Sequence, residues 1–175
     1  LVYTVLAQAP QGTFAGAISL GFCPDLQVPK RLCRGSGLDS RAGRKPGETI
    51  ILPSQDLNIP WVALQGDQDQ VCNPDATAEF VRQVPGGKLV ALEKVGHGFS
   101  VQRNWLPQMK QSFQGITSAA TAPVTAGSEP AAIASLPVHL VPGAPGIGSG
   151  DALALLVSGD GGWVGIDRHL ANTLA

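Results

Sequence analysis

The chain has 175 residues, and 43% of them are hydrophobic against 14% charged, which suffices for about one folded domain. Lys and Arg number 12 and Asp and Glu 13, giving a net charge of -1. This balance excludes the basic surface that a nucleic-acid partner requires. The apolar fraction is too high for intrinsic disorder, and its distribution is too scattered for a coiled coil.

The first 24 residues carry no formal charge, but Gln, Pro and Gly interrupt them too often for a membrane-spanning helix. They also lack the Met and the basic start of a signal peptide. Because the pattern begins abruptly at Leu1, we expect that a segment of a longer protein precedes it.

Short apolar strands alternate with helical patterns in the first part of the chain. Helices are predicted over residues 1–9, 76–84 and 104–116, and buried strands over residues 13–22, 60–66 and 88–95. Asp75 is the predicted N-cap of the second helix. Residues 23–58 are rich in Gly, Pro and charge, which is typical of loops. The alternation predicts an α/β fold with a parallel sheet covered on both faces.

The composition changes after residue 116. Residues 117–150 are dominated by Ala, Pro, Gly, Ser and Thr, which predicts a linker, with a short strand at 136–142. A second strand–helix pattern follows, with a buried strand at 153–158 and a helix at 166–175. We therefore expect a first domain over 1–116, a linker over 117–150 and the start of a second α/β unit over 151–175.

Acidic and imidazole side chains follow two of the predicted strands. Asp67 and Asp69 come after the strand at 60–66, and His97 comes after the strand at 88–95. Catalytic groups of parallel sheets lie at the carboxyl ends of strands, where a carboxylate can orient a histidine. This arrangement resembles the C-terminal half of an α/β-hydrolase, whose order is Ser, Asp, His. The G-x-x-D spacing from Gly66 implies Asp69 as the acid, with Asp67 as the second choice.

The nucleophile is missing from this pattern. The chain contains no G-x-S-x-G, and the nearest match, at residues 17–21, does not lead into a helix. Ser19 is therefore interpreted as a strand residue. We expect the nucleophile to lie just before Leu1, and residues 1–175 alone to hydrolyse no ester.

A glycine-rich turn forms a second candidate site. Gly161, Gly162 and Trp163 follow the strand predicted at 153–158, where backbone N–H groups of a hydrolase form part of the oxyanion hole. A plain turn or a phosphate-binding loop is the alternative, although the Walker pattern is absent.

The three cysteines are Cys23, Cys33 and Cys72. The short polar segment between Cys23 and Cys33 predicts a disulfide that closes a loop, leaving Cys72 without an assigned partner. No CxxC motif or His/Cys cluster is present, so no metal is expected. No organic cofactor is expected either.

Two sets of motifs carry a closer resemblance. SGDGGW with IDRHLANTLA resembles the start of the VirJ domain of the bacterial AcvB/VirJ virulence-factor family, and LAQAPQGTFAGAISLGFCPDL, LCRGSGL and GDQDQVC resemble the preceding domain of its two-domain members. The resemblance implies an α/β-hydrolase fold, a periplasmic location and ester hydrolysis of aminoacyl-phosphatidylglycerol, chiefly the lysyl form. Asp67 or Asp25 would then meet the lysyl ammonium. The alternative is a non-catalytic periplasmic module that supports virulence or secretion through protein partners.

Overall fold

The computed structural model describes residues 1–28, 37–119, 139, 141–143, 152–158, 163 and 165–175. The chain divides into two compact units, Leu1–Ala120 and Thr121–Ala175. In chain order the first unit contains α1 (Val2–Gln8), β1 (Ala17–Leu20), β2 (Asp25–Gln27), β3 (Ser40–Ala42), β4 (Glu48–Ile51), β5 (Trp61–Gly66), α2 (Pro74–Arg82), β6 (Gly87–Leu92) and α3 (Leu106–Ala119). A 3₁₀ turn at Gln102–Asn104 precedes α3.

A three-stranded parallel sheet organises this unit. Its order is β1-β5-β6, and β5 is buried along its whole length between the two others. The strands predicted at 13–22, 60–66 and 88–95 are confirmed, and all three belong to this sheet. The helices predicted in this part of the chain are confirmed as well. The mixed α/β class is therefore correct.

The residues of β5 alternate between the two faces of the sheet. Trp61 packs among aromatic rings from α1 and α2, with ring centres 4.6 Å from Tyr3 and 6.1 Å from Phe80. Val62 faces the other way, toward α3, and lines a cleft of about 250 Å³ with Ile116. Helices thus lie on both faces of the sheet, and the carboxyl ends of its strands are not covered by them.

The loop predicted over residues 23–58 is partly wrong, because three short strands lie there. They form a separate antiparallel sheet in the order β2-β4-β3. Each strand has three or four residues, and β3 is exposed throughout. Strands this short carry little apolar alternation, so their backbone pairing has no signature in the sequence.

The start of α2 also differs from the prediction. Asn73, not Asp75, is the N-cap, and its side chain accepts a hydrogen bond of 2.9 Å from the backbone N–H of Ala76. Pro74 follows as the first helical residue, where its missing N–H costs nothing. The helix therefore begins two residues earlier than the hydrophobic pattern indicates.

The second unit contains α4 (Gly165–Leu174), which confirms the helix predicted at the end of the chain. The buried strand predicted at 153–158 is wrong, since residues 152–158 form no strand and Leu153 and Leu155 are exposed. Among the described residues no partner strand pairs with this segment, and a lone strand does not form in water. Of the strand predicted at 136–142, the described residues 139, 141 and 142 are not in a strand.

No helix in the described part of the chain is long and apolar enough to cross a membrane.

Candidate active site

Two loops at the carboxyl end of the parallel sheet bring an acid and an imidazole together. The Asp69 loop (residues 66–73) follows β5, and the His97 turn (residues 95–99) follows β6. Nδ1 of His97 lies 3.0 Å from Oδ2 of Asp69. The contact that the sequence predicts between these two side chains is therefore present, while their catalytic role stays a prediction.

The carboxylate of Asp69 is buried and fully hydrogen-bonded. Its Oδ1 accepts bonds of 2.9 Å from the backbone N–H groups of Val71 and Cys72, and its Oδ2 accepts one of 3.1 Å from the amide of Gln65. Burial raises the pKa of Asp69, but these bonds and the His97 contact together hold its pKa below the usual value. Asp69 is therefore an anion at neutral pH.

The ionised carboxylate decides which tautomer His97 adopts. A carboxylate only accepts hydrogen bonds, so Nδ1 of His97 carries the proton and its N–H donates a hydrogen bond to Asp69. Nε2 is then left with a free lone pair. The side chain of His97 is 44% exposed, whereas that of Asp69 is 0% exposed. The imidazole can therefore accept a proton at Nε2 from a group that approaches from outside.

Apolar residues on either side of His97 fix the His97 turn. Val95 and Phe99 are buried, and the N–H of Phe99 donates to the carbonyl of Gly96 at 3.1 Å. Phe99 has a φ of 46°, an uncommon value for a residue with a side chain. The indole of Trp105 packs edge-on against the Phe99 ring, and its N–H donates a hydrogen bond of 2.8 Å to the backbone carbonyl of Phe99. These contacts hold His97 at the tip of a tight turn.

A glycine at the end of β1 completes the surroundings of the pair. Gly21 has a φ of +67°, and a Cβ there would lie 3.3 Å from Nδ1 of His97 and 3.5 Å from Oδ2 of Asp69. Both the backbone conformation and the lack of space therefore favour glycine. The carboxyl ends of all three parallel strands thus meet at the pair.

The predicted Cys23–Cys33 disulfide is wrong, because Cys23 is bonded to Cys72. Cys23 follows β1, and Cys72 lies in the Asp69 loop after the neighbouring strand β5. Parallel pairing of the two strands brings their Cα atoms to 4.7 Å across a separation of 49 residues. Short spacing favoured the local pair, and only the sheet topology reveals the distant one. Cys33 lies outside the described residues.

Three residues with metal-ligating atoms converge at this point. Ligand atoms of Asp69, Cys72 and His97 lie within 4.8 Å of one another, the only such group among the described residues. The sulfur of Cys72 is committed to its disulfide and cannot supply a thiolate. Two ligands remain, and their mutual hydrogen bond already accounts for their arrangement.

The second-choice residues lie apart from the pair. Oδ1 of Asp67 accepts a bond of 3.4 Å from the backbone N–H of Val95, so Asp67 supports the His97 turn without touching the imidazole. Ser19 is buried and accepts a bond of 3.0 Å from the indole of Trp61, as expected of a strand serine. In the part of the chain that the structure describes, the hydrogen bond of His97 involves Asp69 alone, with no serine at Nε2.

Most of the second candidate site lies outside the described residues. Gly161 and Gly162 lie outside the described residues, so the proposed oxyanion loop stays a prediction. Trp163 is described, and its ring stacks on that of His139 with 5.3 Å between centres. This contact occupies one face of the indole. Asp25, a candidate for meeting a substrate ammonium, is exposed on β2.

Sequence reasoning missed Gln65. This residue sits inside β5 with 2% of its surface exposed, and its amide bonds to Asp69. A polar side chain within an otherwise apolar buried strand was the available signal, because buried polar groups require partners.

No protein-family model, curated protein or solved structure matches the chain. The site therefore rests on its own geometry.

Proposed function

We propose that this chain belongs to a serine ester hydrolase of the α/β-hydrolase type, in which His97 is the general base and Asp69 orients it. The observation that carries the proposal is the 3.0 Å contact between Nδ1 of His97 and Oδ2 of Asp69 at the ends of adjacent parallel strands. Carboxylate–imidazole pairs at this position activate a hydroxyl nucleophile in many hydrolases.

The chemistry follows from the tautomer. Nε2 of His97 removes the proton of a serine hydroxyl as the oxygen attacks the ester carbonyl, and the Asp69 carboxylate stabilises the imidazolium that forms. The imidazolium then protonates the departing alcohol, which leaves an acyl-enzyme. Water, deprotonated by the same imidazole, releases the acid and regenerates the serine. The order Ser, Asp, His puts this serine before Asp69 in the chain, and none of the described serines lies at Nε2 of His97.

The proposed substrate is aminoacyl-phosphatidylglycerol, chiefly its lysyl form, and the proposed location is the periplasm. Both come from the AcvB/VirJ resemblance. The Cys23–Cys72 disulfide supports an oxidising compartment, because such bonds are rare in the cytosol. Asp67 is exposed beside the His97 turn, which makes it the acidic group best placed to meet a lysyl ammonium.

A non-catalytic periplasmic binding module is the second candidate. One observation favours it: the bonds of Asp69 to Val71, Cys72 and Gln65 account for a stable buried carboxylate without any catalytic task. Satisfied polar groups of this kind occur in protein cores for structural reasons alone.

The two functions are separated by an assay of the complete gene product. It would be given a short-chain p-nitrophenyl ester and vesicles containing lysyl-phosphatidylglycerol. We expect His97→Ala to lower turnover by about 10²–10⁴-fold, with Asp69→Asn in the same direction and Asp67→Asn close to wild type on the uncharged ester. A fluorophosphonate probe should label one serine, which mass spectrometry of peptides would locate.

Turnover that His97→Ala leaves unchanged would reject the catalytic role of this pair. Absence of both turnover and labelling in the folded complete protein would favour the binding module.

A further inference from the structure

The amide of Gln65 is held in one orientation by its two main acceptors. Nε2 lies 3.1 Å from Oδ2 of Asp69 and 3.2 Å from the carbonyl oxygen of Cys72. Both partners only accept hydrogen bonds, so the side-chain nitrogen and not the oxygen must face them. Each of the two Nε2 hydrogens therefore has an acceptor in the Asp69 loop.

The second polar atom of the same amide is its oxygen, Oε1. Oε1 of Gln65 is buried and has no hydrogen-bond partner among the described residues. An unpaired buried carbonyl oxygen destabilises the fold, and an apolar side chain of similar size would avoid that cost. The bonds that Nε2 makes are what distinguish this glutamine from an apolar side chain of similar size.

The bond from Gln65 reaches the oxygen that also faces the imidazole. Backbone N–H groups of Val71 and Cys72 hold Oδ1 of Asp69. Among the described residues, Gln65 is the one donor to Oδ2 apart from His97. The three donors together fix the plane of the carboxylate. The donor from Gln65 is the one that aims Oδ2 at Nδ1.

We propose that Gln65 is a positioning residue, which aims Oδ2 of Asp69 at His97 so that the imidazole stays in its Nδ1–H tautomer. The inference deepens the proposed hydrolase function, in which only this tautomer leaves Nε2 free to accept the serine proton. Gln65 touches no reacting atom and acts through Asp69.

Nuclear magnetic resonance tests this inference without any substrate. Imidazole ¹⁵N shifts report the tautomer of His97, and the carboxyl ¹³C shift follows the titration of Asp69. In Gln65→Met, which keeps the volume and removes the donor, we expect the Nε2–H tautomer to rise from a minor to a major fraction. We also expect the Asp69 titration midpoint to move up toward the ordinary aspartate value.

Gln83→Met is the matched control, because Gln83 also donates an amide hydrogen to a carboxylate, that of Glu79, at 3.0 Å on the protein surface. Its His97 spectrum should equal that of wild type. A Gln65→Met protein that keeps the Nδ1–H tautomer and the wild-type Asp69 midpoint would overturn the proposal, even if its stability has fallen.

A wild-type measurement covers the case in which Gln65→Met does not fold. The side-chain amide protons of Gln65 should shift with the same midpoint as the Asp69 carboxyl, since one of them bonds to it. Amide shifts that stay flat through that titration would equally overturn the proposal. None of these readouts depends on ester turnover, so failure of the hydrolase function leaves them interpretable.

Discussion

The two loops that build the candidate site are stabilised in opposite ways. The Asp69 loop is held by directed bonds: three hydrogen bonds to a buried carboxylate and a disulfide to the end of β1. The His97 turn is held mainly by apolar packing, with the buried side chains of Val95 and Phe99 on either side of a half-exposed imidazole. The carboxylate oxygens of Asp69 are thus held directly by hydrogen bonds, whereas His97 is positioned by the packing of the residues beside it.

This difference matches what each group is proposed to do. A carboxylate that stabilises an imidazolium must stay charged and point in one direction, which only directed hydrogen bonds achieve. An imidazole that passes a proton outward needs an open edge, so the turn that carries it is held by neighbours that leave Nε2 exposed. Removing an apolar contact from the His97 turn, and a directed bond from the Asp69 loop, tests this difference between the two loops.

The largest effect is expected at Trp105, which anchors the His97 turn. Its side chain is 0% exposed, packs edge-on against Phe99 and donates a hydrogen bond to the Phe99 carbonyl. Trp105→Ala should lower the free energy of unfolding by about 3–5 kcal/mol, because it leaves a large cavity beside the turn. Urea unfolding followed by circular dichroism would measure the loss.

Trp105→Phe is the matched control for this prediction. It keeps an aromatic ring but removes the indole N–H, so the loss should be clearly smaller than for alanine. Equal losses in the two variants would mean that the hydrogen bond, and not apolar packing, holds the His97 turn. That result would remove the contrast between the two loops.

A smaller effect is expected from reduction of the Cys23–Cys72 disulfide, which anchors the Asp69 loop. Opening it should lower the free energy of unfolding by about 2–4 kcal/mol, because the unfolded chain regains conformational freedom. Cys72 also donates its backbone N–H to Asp69, so reduction should raise backbone amide exchange in the Asp69 loop more than in the His97 turn.

Cys33→Ser serves as the control for the disulfide, because that residue takes no part in the observed bond. Peptide mapping of the oxidised protein should show Cys23 joined to Cys72 in both wild type and this variant. A Cys23–Cys33 peptide in the wild type would contradict the structure and restore the pairing that spacing alone suggested.

The elements that the sequence predicts well are those whose apolar pattern serves one buried face. The strands β1, β5 and β6 and the helices α1, α2 and α3 follow from hydrophobic runs. The Asp69–His97 contact follows from the rule that parallel strands end at one edge. The antiparallel sheet was missed because its short strands bury few side chains. The strand order of that sheet depends on backbone pairing, which no residue type in these strands indicates.

The remaining misses at the site share a physical cause. The partner of Cys23 depends on which loops the sheet brings together, and the role of Gln65 depends on how the chain turns after β5; neither is written in the residue pattern. Gln65 is four residues from Asp69 and 2% exposed, yet nothing in a strand pattern indicates that its amide turns back to that carboxylate. Spacing predicted the pair of groups but not the contacts that hold them.

The smallest stability effect is expected from Asp69→Asn, which keeps the shape of the acid and removes its charge. At neutral pH the loss should be about 1–3 kcal/mol, because the new amide NH₂ faces the donor of Gln65. The pKa of Asp69 is lowered in the folded protein, so its contribution is present above the ordinary value of 3.8 and disappears as pH falls through the folded value. The stability difference between wild type and Asp69→Asn should therefore shrink as the solution is acidified below about pH 4. Asp67→Asn keeps an oxygen that can accept the 3.4 Å bond from the backbone N–H of Val95, so at neutral pH its stability should equal that of wild type. A difference that stays constant down to low pH would show that the hydrogen-bond acceptors of the Asp69 side chain, and not its charge, are what stabilises the Asp69 loop.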